Sequence, residues 1–239
     1  MSGRAIVQLR FDNDKIEDIT GNTEYANIID YGGGKATYID APISGYKAFD
    51  TNGVFYYTNS STKPFIMTTT DCYTISMWVY RRDGVYYSSL GTPWSILNYF
   101  LFEPCCQGYE LISDVRYLHE TRNYNIRCQN EKWQWWCACV SPTLNSLFCD
   151  GVRVNTKYDY TRLEYKEIDV AKYIHFLHFD PGDPHGIYNG ALFDIAMIKG
   201  FVDPRINKLS IPTDYVKESD LHLVDNEIIP TMKSIMNYQ

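Results

Sequence analysis

An all-β fold of antiparallel sheets is predicted by three observations. Residues 132–155 read KWQWWCACVSPTLNSLFCDGVRVN. Trp133, Trp135, Cys137 and Cys139 alternate there with Gln134, Trp136, Ala138 and Val140. The side-chain period is two and both faces are mostly apolar, which suits a strand buried in a sandwich. Residues 71–82 repeat the pattern, with Tyr73, Ile75, Met77 and Val79 on one face and Thr74, Ser76, Trp78 and Tyr80 on the other. The third observation is turn chemistry. Asp150-Gly151 and Asn52-Gly53 stand between apolar runs, where such dipeptides close tight hairpins because glycine tolerates positive φ.

Taken in order, residues 5–11 form a short strand. Asp12-Asn13-Asp14 and the stretch from Asp18 to Asn22 are turn-forming. Gly32-Gly33-Gly34 is a turn. Residues 46–57 (YKAFDTNGVFYY) read as a strand pair about Asn52-Gly53. Strand-like runs follow at 94–102, 109–118 and 124–128, separated by Glu103-Pro104 and by a charged turn at 119–122. Ser141-Pro142-Thr143 is a turn signal, after which 144–149 and 152–154 continue as strand. Residues 158–172 are polar and mixed, and 173–179 (YIHFLHF) is another strand. No internal repeat, low-complexity tract or clear linker divides the 239 residues, so one large β-domain with a tail is expected.

Several of these stretches resemble the concanavalin A-like lectin/glucanase superfamily, and more narrowly its laminin-G-like (LamG) domains. Residues 132–155 are similar to the pattern "W-x-x-x-A-x-V … L-x-x-x-x-D-G-x-x-V", 71–82 to "F-T-I-S-x-W-V", and 189–198 to the closing strand "F-x-G-x-I-D-D-V-x-I-Y". The opening strand and the segment at Gly45 and Ala48 also fit. Residues 201–209 resemble the tail "A-L-S-x-x-E-I-x-x-L", a short helical turn in the family, and Asp203-Pro204 suits an N-cap with proline at the first helical position. The resemblance covers residues 4–211. It implies an antiparallel two-sheet jelly-roll sandwich over 1–211, with 212–239 as a C-terminal tail or docking segment.

Composition narrows the function. The formal charge is −7, from 22 Lys+Arg against 29 Asp+Glu, and no run of Lys/Arg offsets it. A nucleic-acid or anionic-membrane partner is therefore not expected. No apolar run approaches the about 18 residues a membrane helix needs. The opening MSGRAIVQLRFDND lacks a signal-peptide layout, so synthesis in a reducing cytosol is expected. Seven cysteines, an odd number, agree with that. They read as buried free thiols acting as small hydrophobes. Cys137 and Cys139 share one strand face, a poor geometry for a disulfide, and the absence of C-x-x-C removes the usual zinc spacing.

Candidate chemistry is sparse. Glucanases of the superfamily carry E-x-D-x-x-E on one strand, and a retaining pair needs its carboxyls about 5–5.5 Å apart. Here the corresponding run offers Glu167 and Asp169, but Lys172 stands where the second glutamate belongs. It reads as a solvated strand edge. Residues 175–185 hold His175, His178, Asp180, Asp183 and His185. His175 and His178 point to opposite faces of a strand and cannot share an ion unaided. Asp180 and Asp183 lie in a Pro/Gly turn and are the candidate metal ligands, for Ca²⁺, whose hard charge favours carboxylates and carbonyls. The competing reading is a polar turn with aspartates capping backbone groups. Asn59-Ser60-Ser61 is a glycosylation sequon that matters only on a secretory route.

The expectation is a non-enzymatic recognition or structural module with no catalytic residues. Aromatics make up 15% of the chain, including 21 Tyr, and such side chains stack sugars or fill a partner's pockets. A LamG-like domain without an export layout, rich in free cysteine, resembles a phage virion protein of the tail, baseplate or fibre. Host-surface glycan or a neighbouring virion protein is the expected partner, and a homo-oligomer the expected assembly. The alternatives are a glycan-cleaving enzyme on the same fold and a scaffold subunit of an intracellular complex.

Overall fold

The computed structural model describes residues 5–12, 15–22, 28–30, 37–50, 56–58, 66–68, 72–82, 94–96, 100–105, 108–112, 121–123, 129, 131–140, 144–158, 167–169, 174–176 and 190–224. In chain order its strands begin with β1 (Ala5–Asp12), β2 (Lys15–Asp18), β3 (Ile28–Asp30), β4 (Thr37–Asp40), β5 (Lys47–Asp50), β6 (Tyr56–Thr58), β7 (Ile66–Thr68) and β8 (Tyr73–Arg81). Then come β9 (Trp94–Ile96), β10 (Phe100–Cys105), β11 (Gly108–Ile112), β12 (Thr121–Asn123), β13 (Trp133–Val140), β14 (Leu144–Cys149), β15 (Val152–Tyr158), β16 (Glu167–Asp169) and β17 (Ile174–Phe176). The chain closes with β18 (Gly190–Lys199), β19 (Phe201–Val202), the four-residue helix α1 (Glu218–Leu221) and β20 (Leu223–Val224).

Among the described residues two large antiparallel sheets dominate. One runs β15-β14-β13-β8-β18-β1-β2, with β5 on the β1 side of β18 and β4 beyond it. The other runs β12-β11-β10-β9-β17-β6-β3. This is the expected all-β, two-sheet jelly-roll sandwich. The three sequence anchors, β8, β13 and β18, lie side by side at the centre of the first sheet. They are central because both their faces are apolar, so both can be buried.

Register sorts the side chains of this sheet. Val7, Leu9, Ile75, Met77, Trp136, Leu147, Leu192 and Met197 share the inner face and are buried. Gln8, Ser76, Trp78, Trp135, Cys137, Phe148, Phe193 and Ala196 share the outer face. The outer face is buried too, beneath residues 200–224, which form a second apolar cluster with it through Phe201, Val202, Leu209, Tyr215, Val216 and Leu221.

Two turns match expectation closely. Asp150 and Gly151 both have positive φ, 48° and 78°, and join Cys149 to Val152 as a two-residue hairpin, the geometry that follows the twist of its strands. At the other edge, Asp18 Oδ1 accepts from Thr20 N at 3.0 Å and from Thr20 Oγ1 at 2.8 Å, and Gly21 follows at φ 70°.

Three expectations are corrected. The strands flanking Asn52-Gly53, which itself lies outside the described residues, do not pair with each other: β5 pairs with β4 and β18, whereas β6 pairs with β3 and β17 in the other sheet. Local turn propensity gives way there to the edges that each sheet offers. Glu103-Pro104 lies within β10, where Pro104 faces Tyr109 of β11. Residues 203–206 form no helix. Ile206 N donates to Asp203 O at 2.9 Å and Arg205 N to Asp203 Oδ1 at 2.9 Å, so Asp203 caps a single turn and the helical residues come later, at 218–221. The expected tail or docking segment from residue 212 docks, as far as residue 224, on the chain's own sheet.

Candidate functional site

The outer face divides into a clasped region and an open ledge. The clasp begins where β18 bulges between Phe193 and Ala196. Asp194 takes φ 49° in that bulge, and its side chain is buried. Its Oδ1 accepts from Gln8 Nε2 at 2.9 Å and its Oδ2 from Val216 N at 2.5 Å. Gln8 Nε2 also donates to Val216 O at 3.0 Å. Two side chains of the sheet thus hold both backbone polar groups of one residue, Val216, as a neighbouring strand would. Burial pushes the Asp194 carboxyl up to about 7, against the opposing pull of the Gln8 and Val216 hydrogen bonds.

Around the clasp, Tyr215 packs on Phe193 and Tyr46, with ring centroids 5.0 and 4.9 Å apart. Arg10 stacks on the Tyr215 ring at 4.2 Å, a favourable cation–π distance. The Tyr46 hydroxyl donates to Asp214 Oδ1 at 2.8 Å, which holds that carboxyl below its usual range and raises the phenol.

From β18 the segment crosses β8, where Thr74 Oγ1 donates to Gly200 O at 2.9 Å. It reaches β15, where Arg153 binds the carbonyls of Asp203 and Ile206 and lies 4.6 Å over Phe148. It pairs with the tight turn through Leu209 N to Gly151 O at 2.7 Å. It then returns across the face to the clasp, and β20 closes the circuit on β19. Beneath it lie Cys137 and Cys139. Burial, with the neighbouring Cys139 thiol, pushes the Cys137 thiol well up. Cys72, Cys137 and Cys139 are buried and Cys149 is half-buried, so these side chains take the place of small hydrophobes.

The ledge lies at the end of the same face where β13 starts and β8 ends. Trp133, Tyr80, Ala191 and Asp50 form one register row across β13, β8, β18 and β5. Trp133 and Tyr80 are only partly buried, with ring centroids 5.4 Å apart and planes tilted by 49°. Arg82 sits over the Tyr80 ring at 5.9 Å and forks onto Asp50, Nη1 to Oδ1 and Nη2 to Oδ2, each at 2.5 Å. Behind this row, Trp135 is fully buried and its indole donates to Ser76 Oγ at 2.8 Å. Trp78 is buried as well, and its Nε1 has no hydrogen-bond partner among the described residues. The ledge therefore offers two adjacent aromatic faces beside a charge-paired hydrogen-bonding group.

The sequence-predicted sites fare differently. Asp180, Asp183, His178, His185 and Lys172 lie outside the described residues, as do Gly32-Gly33-Gly34 and Asn59-Ser60-Ser61. His175 is on β17, and Glu167 and Asp169 are on β16, which pairs with β7 apart from both large sheets. Among the described residues no group of three or more His, Cys, Asp or Glu side chains could hold a metal ion, and no helix is long and apolar enough to cross a membrane. Sequence reasoning marked Trp78 and Trp133 as strand residues but missed the ledge. Its signal is the register that brings the apolar row of β13 beside that of β8, which appears only once the strands pair. Arg82 and Asp50 carried no sequence signal.

No protein-family model and no curated protein matches the chain. Solved structures do. Domain 4 of AbnA, a GH43 extracellular arabinanase from Geobacillus stearothermophilus, in complex with arabinotriose, is 17% identical over 90% of this chain and 98% of that one, with TM-score 0.64. The binding domain of botulinum neurotoxin serotype D is 11% identical over 92% of this chain and 50% of that one, TM-score 0.52. Trypanosoma rangeli sialidase in complex with sialic acid is 8% identical over 93% of this chain and 33% of that one, TM-score 0.52. The likeness is one of fold, a β-sandwich domain.

Proposed function

We propose that this chain is a non-enzymatic glycan-recognition module of the laminin-G-like kind, carried on a phage particle and presenting the Tyr80–Trp133 ledge to host-surface sugar. The observation that carries the reading is the ledge itself. Two neighbouring rings stand partly exposed at one end of the outer face, and aromatic faces of this kind combine an apolar body with a polar rim. A fold neighbour spanned almost end to end supports it, since it is a domain in complex with arabinotriose. Fold alone does not assign function, so the weight rests on the rings.

The non-enzymatic part of the proposal is supported by the two buried carboxylates of the outer face. Asp50 is forked by Arg82 and Asp194 is held in the clasp, so both serve structure. The virion part is supported by the odd count of seven cysteines, which suits a chain made in a reducing cytosol. The test is a glycan array with and without calcium, with the bound sugars checked for cleavage. Binding without cleavage is expected. Cleavage would overturn the non-enzymatic reading, and a silent array would overturn glycan recognition. Calcium dependence would draw attention to Asp180 and Asp183.

A further inference from the structure

The charge and tilt of the ledge restrict what can lie on it. Arg82 is the cation stacked beside the Tyr80 ring among the described residues, and both its terminal nitrogens are engaged by Asp50, whose side chain is only 6% exposed against 28% for Arg82. A bidentate guanidinium–carboxylate pair has fixed geometry and no net charge, and it orients hydrogen bonds without attracting anions. The turn leading into the ledge adds Glu131 and Lys132, both exposed and of opposite sign. The whole chain carries −7, which repels polyanions at long range. The two rings stand as neighbours 5.4 Å apart but 49° from coplanar. A flat array of chains cannot seat on both at once, whereas a single twisted chain can present successive sugar faces to each.

We propose that the ledge selects a single, uncharged polysaccharide chain, with consecutive sugars on Trp133 and Tyr80, and rejects acidic glycans because Asp50 cancels the charge of Arg82. This rests on the reading of the ledge as a glycan site. In this arrangement Asp50 is a specificity-determining residue that need not touch the sugar. Replacing it by asparagine keeps the shape and releases a cation beside the rings.

The experiment is affinity electrophoresis of the full chain in native gels cast with arabinan, polygalacturonate or no polysaccharide, together with a pull-down on crystalline cellulose. The wild type is expected to be retarded at least tenfold more strongly by arabinan than by polygalacturonate, and to stay off cellulose. Asp50→Asn is expected to narrow that ratio by raising retention in polygalacturonate. Equal or stronger retention of the wild type in polygalacturonate, or firm binding to cellulose, would overturn the selectivity while leaving glycan recognition standing. No retention of the wild type in any gel, with a silent array, would remove the glycan reading and this inference with it. The wild-type ratio decides the matter even if Asp50→Asn does not fold.

Discussion

The clasp and the ledge lie on the same face of the same sheet, a few residues apart along β8 and β18, yet they are built on opposite principles. The clasp buries a carboxylate and surrounds it with donors until nothing polar is left over at Val216. The ledge leaves two large rings partly open. A buried polar network is worth its desolvation only when complete, so the clasp marks where the chain must be held. Aromatic area left open is unfavourable for stability alone, so the ledge marks where the chain is free to bind. On this account, changes at the clasp alter stability and leave sugar binding intact, and changes at the ledge do the reverse.

The largest expected effect is the pH dependence of the clasp. Burial raises the Asp194 carboxyl from 3.8 to about 7 in the folded chain. Its contribution is therefore full below the unfolded value near 4 and is lost as pH rises through 7, at up to about 1.4 kcal/mol per pH unit in that window. Denaturation midpoints measured between pH 4 and 8 should fall across this range. Asp194→Asn should flatten the slope and lower stability at pH 5, because its amide turns an N–H towards a neighbouring donor. An unchanged slope in that variant would assign the pH dependence to other groups.

Next is the seam between the tight turn and the covering segment. A Cβ on Gly151 would lie 2.4 Å from Leu209 O, at φ 78°. Gly151→Val should cost about 2–3 kcal/mol, read by urea denaturation. A shift near zero would mean that residues 208–211 do not hold the position described.

At the ledge the sign of the comparison reverses. Trp133→Ala should weaken retention on a neutral polysaccharide about thirtyfold, equivalent to about 2 kcal/mol, while stability falls by about 1 kcal/mol or less. The smallest effect belongs to a solvent-exposed ion pair between β4 and β5. Lys47 and Asp40 are paired but 57% and 88% exposed, so Lys47→Ala should change stability by less than about 0.5 kcal/mol and leave retention unaltered.

The fold was largely legible because its central strands are the most strongly patterned ones. In β8 and β13 a period of two survives on both faces, and Asp150-Gly151 supplies a turn that hardly any other geometry fits. Asn52-Gly53 misled because a turn dipeptide reports local preference, whereas pairing is decided by which edges are available. The short helical turn expected near 203 failed for a related reason. Asp203 does cap, but Arg153 draws the carbonyls of Asp203 and Ile206 to itself and the chain turns once instead of coiling. The clasp was legible only as a strand, since Gln8 and Asp194 lie 186 residues apart. The ledge was equally hidden, because Trp133, Tyr80, Arg82 and Asp50 come from three strands and a strand end and share a surface only through register.

Whether recognition sits on the ledge and stability in the clasp is decided by a paired measurement on Tyr80→Ala/Trp133→Ala. Retention in arabinan gels and the urea midpoint would be read from the same preparation. Retention is expected to disappear while the variant still unfolds in a single cooperative transition with the pH slope of the wild type. Retention equal to the wild type, from a variant that folds, would contradict it.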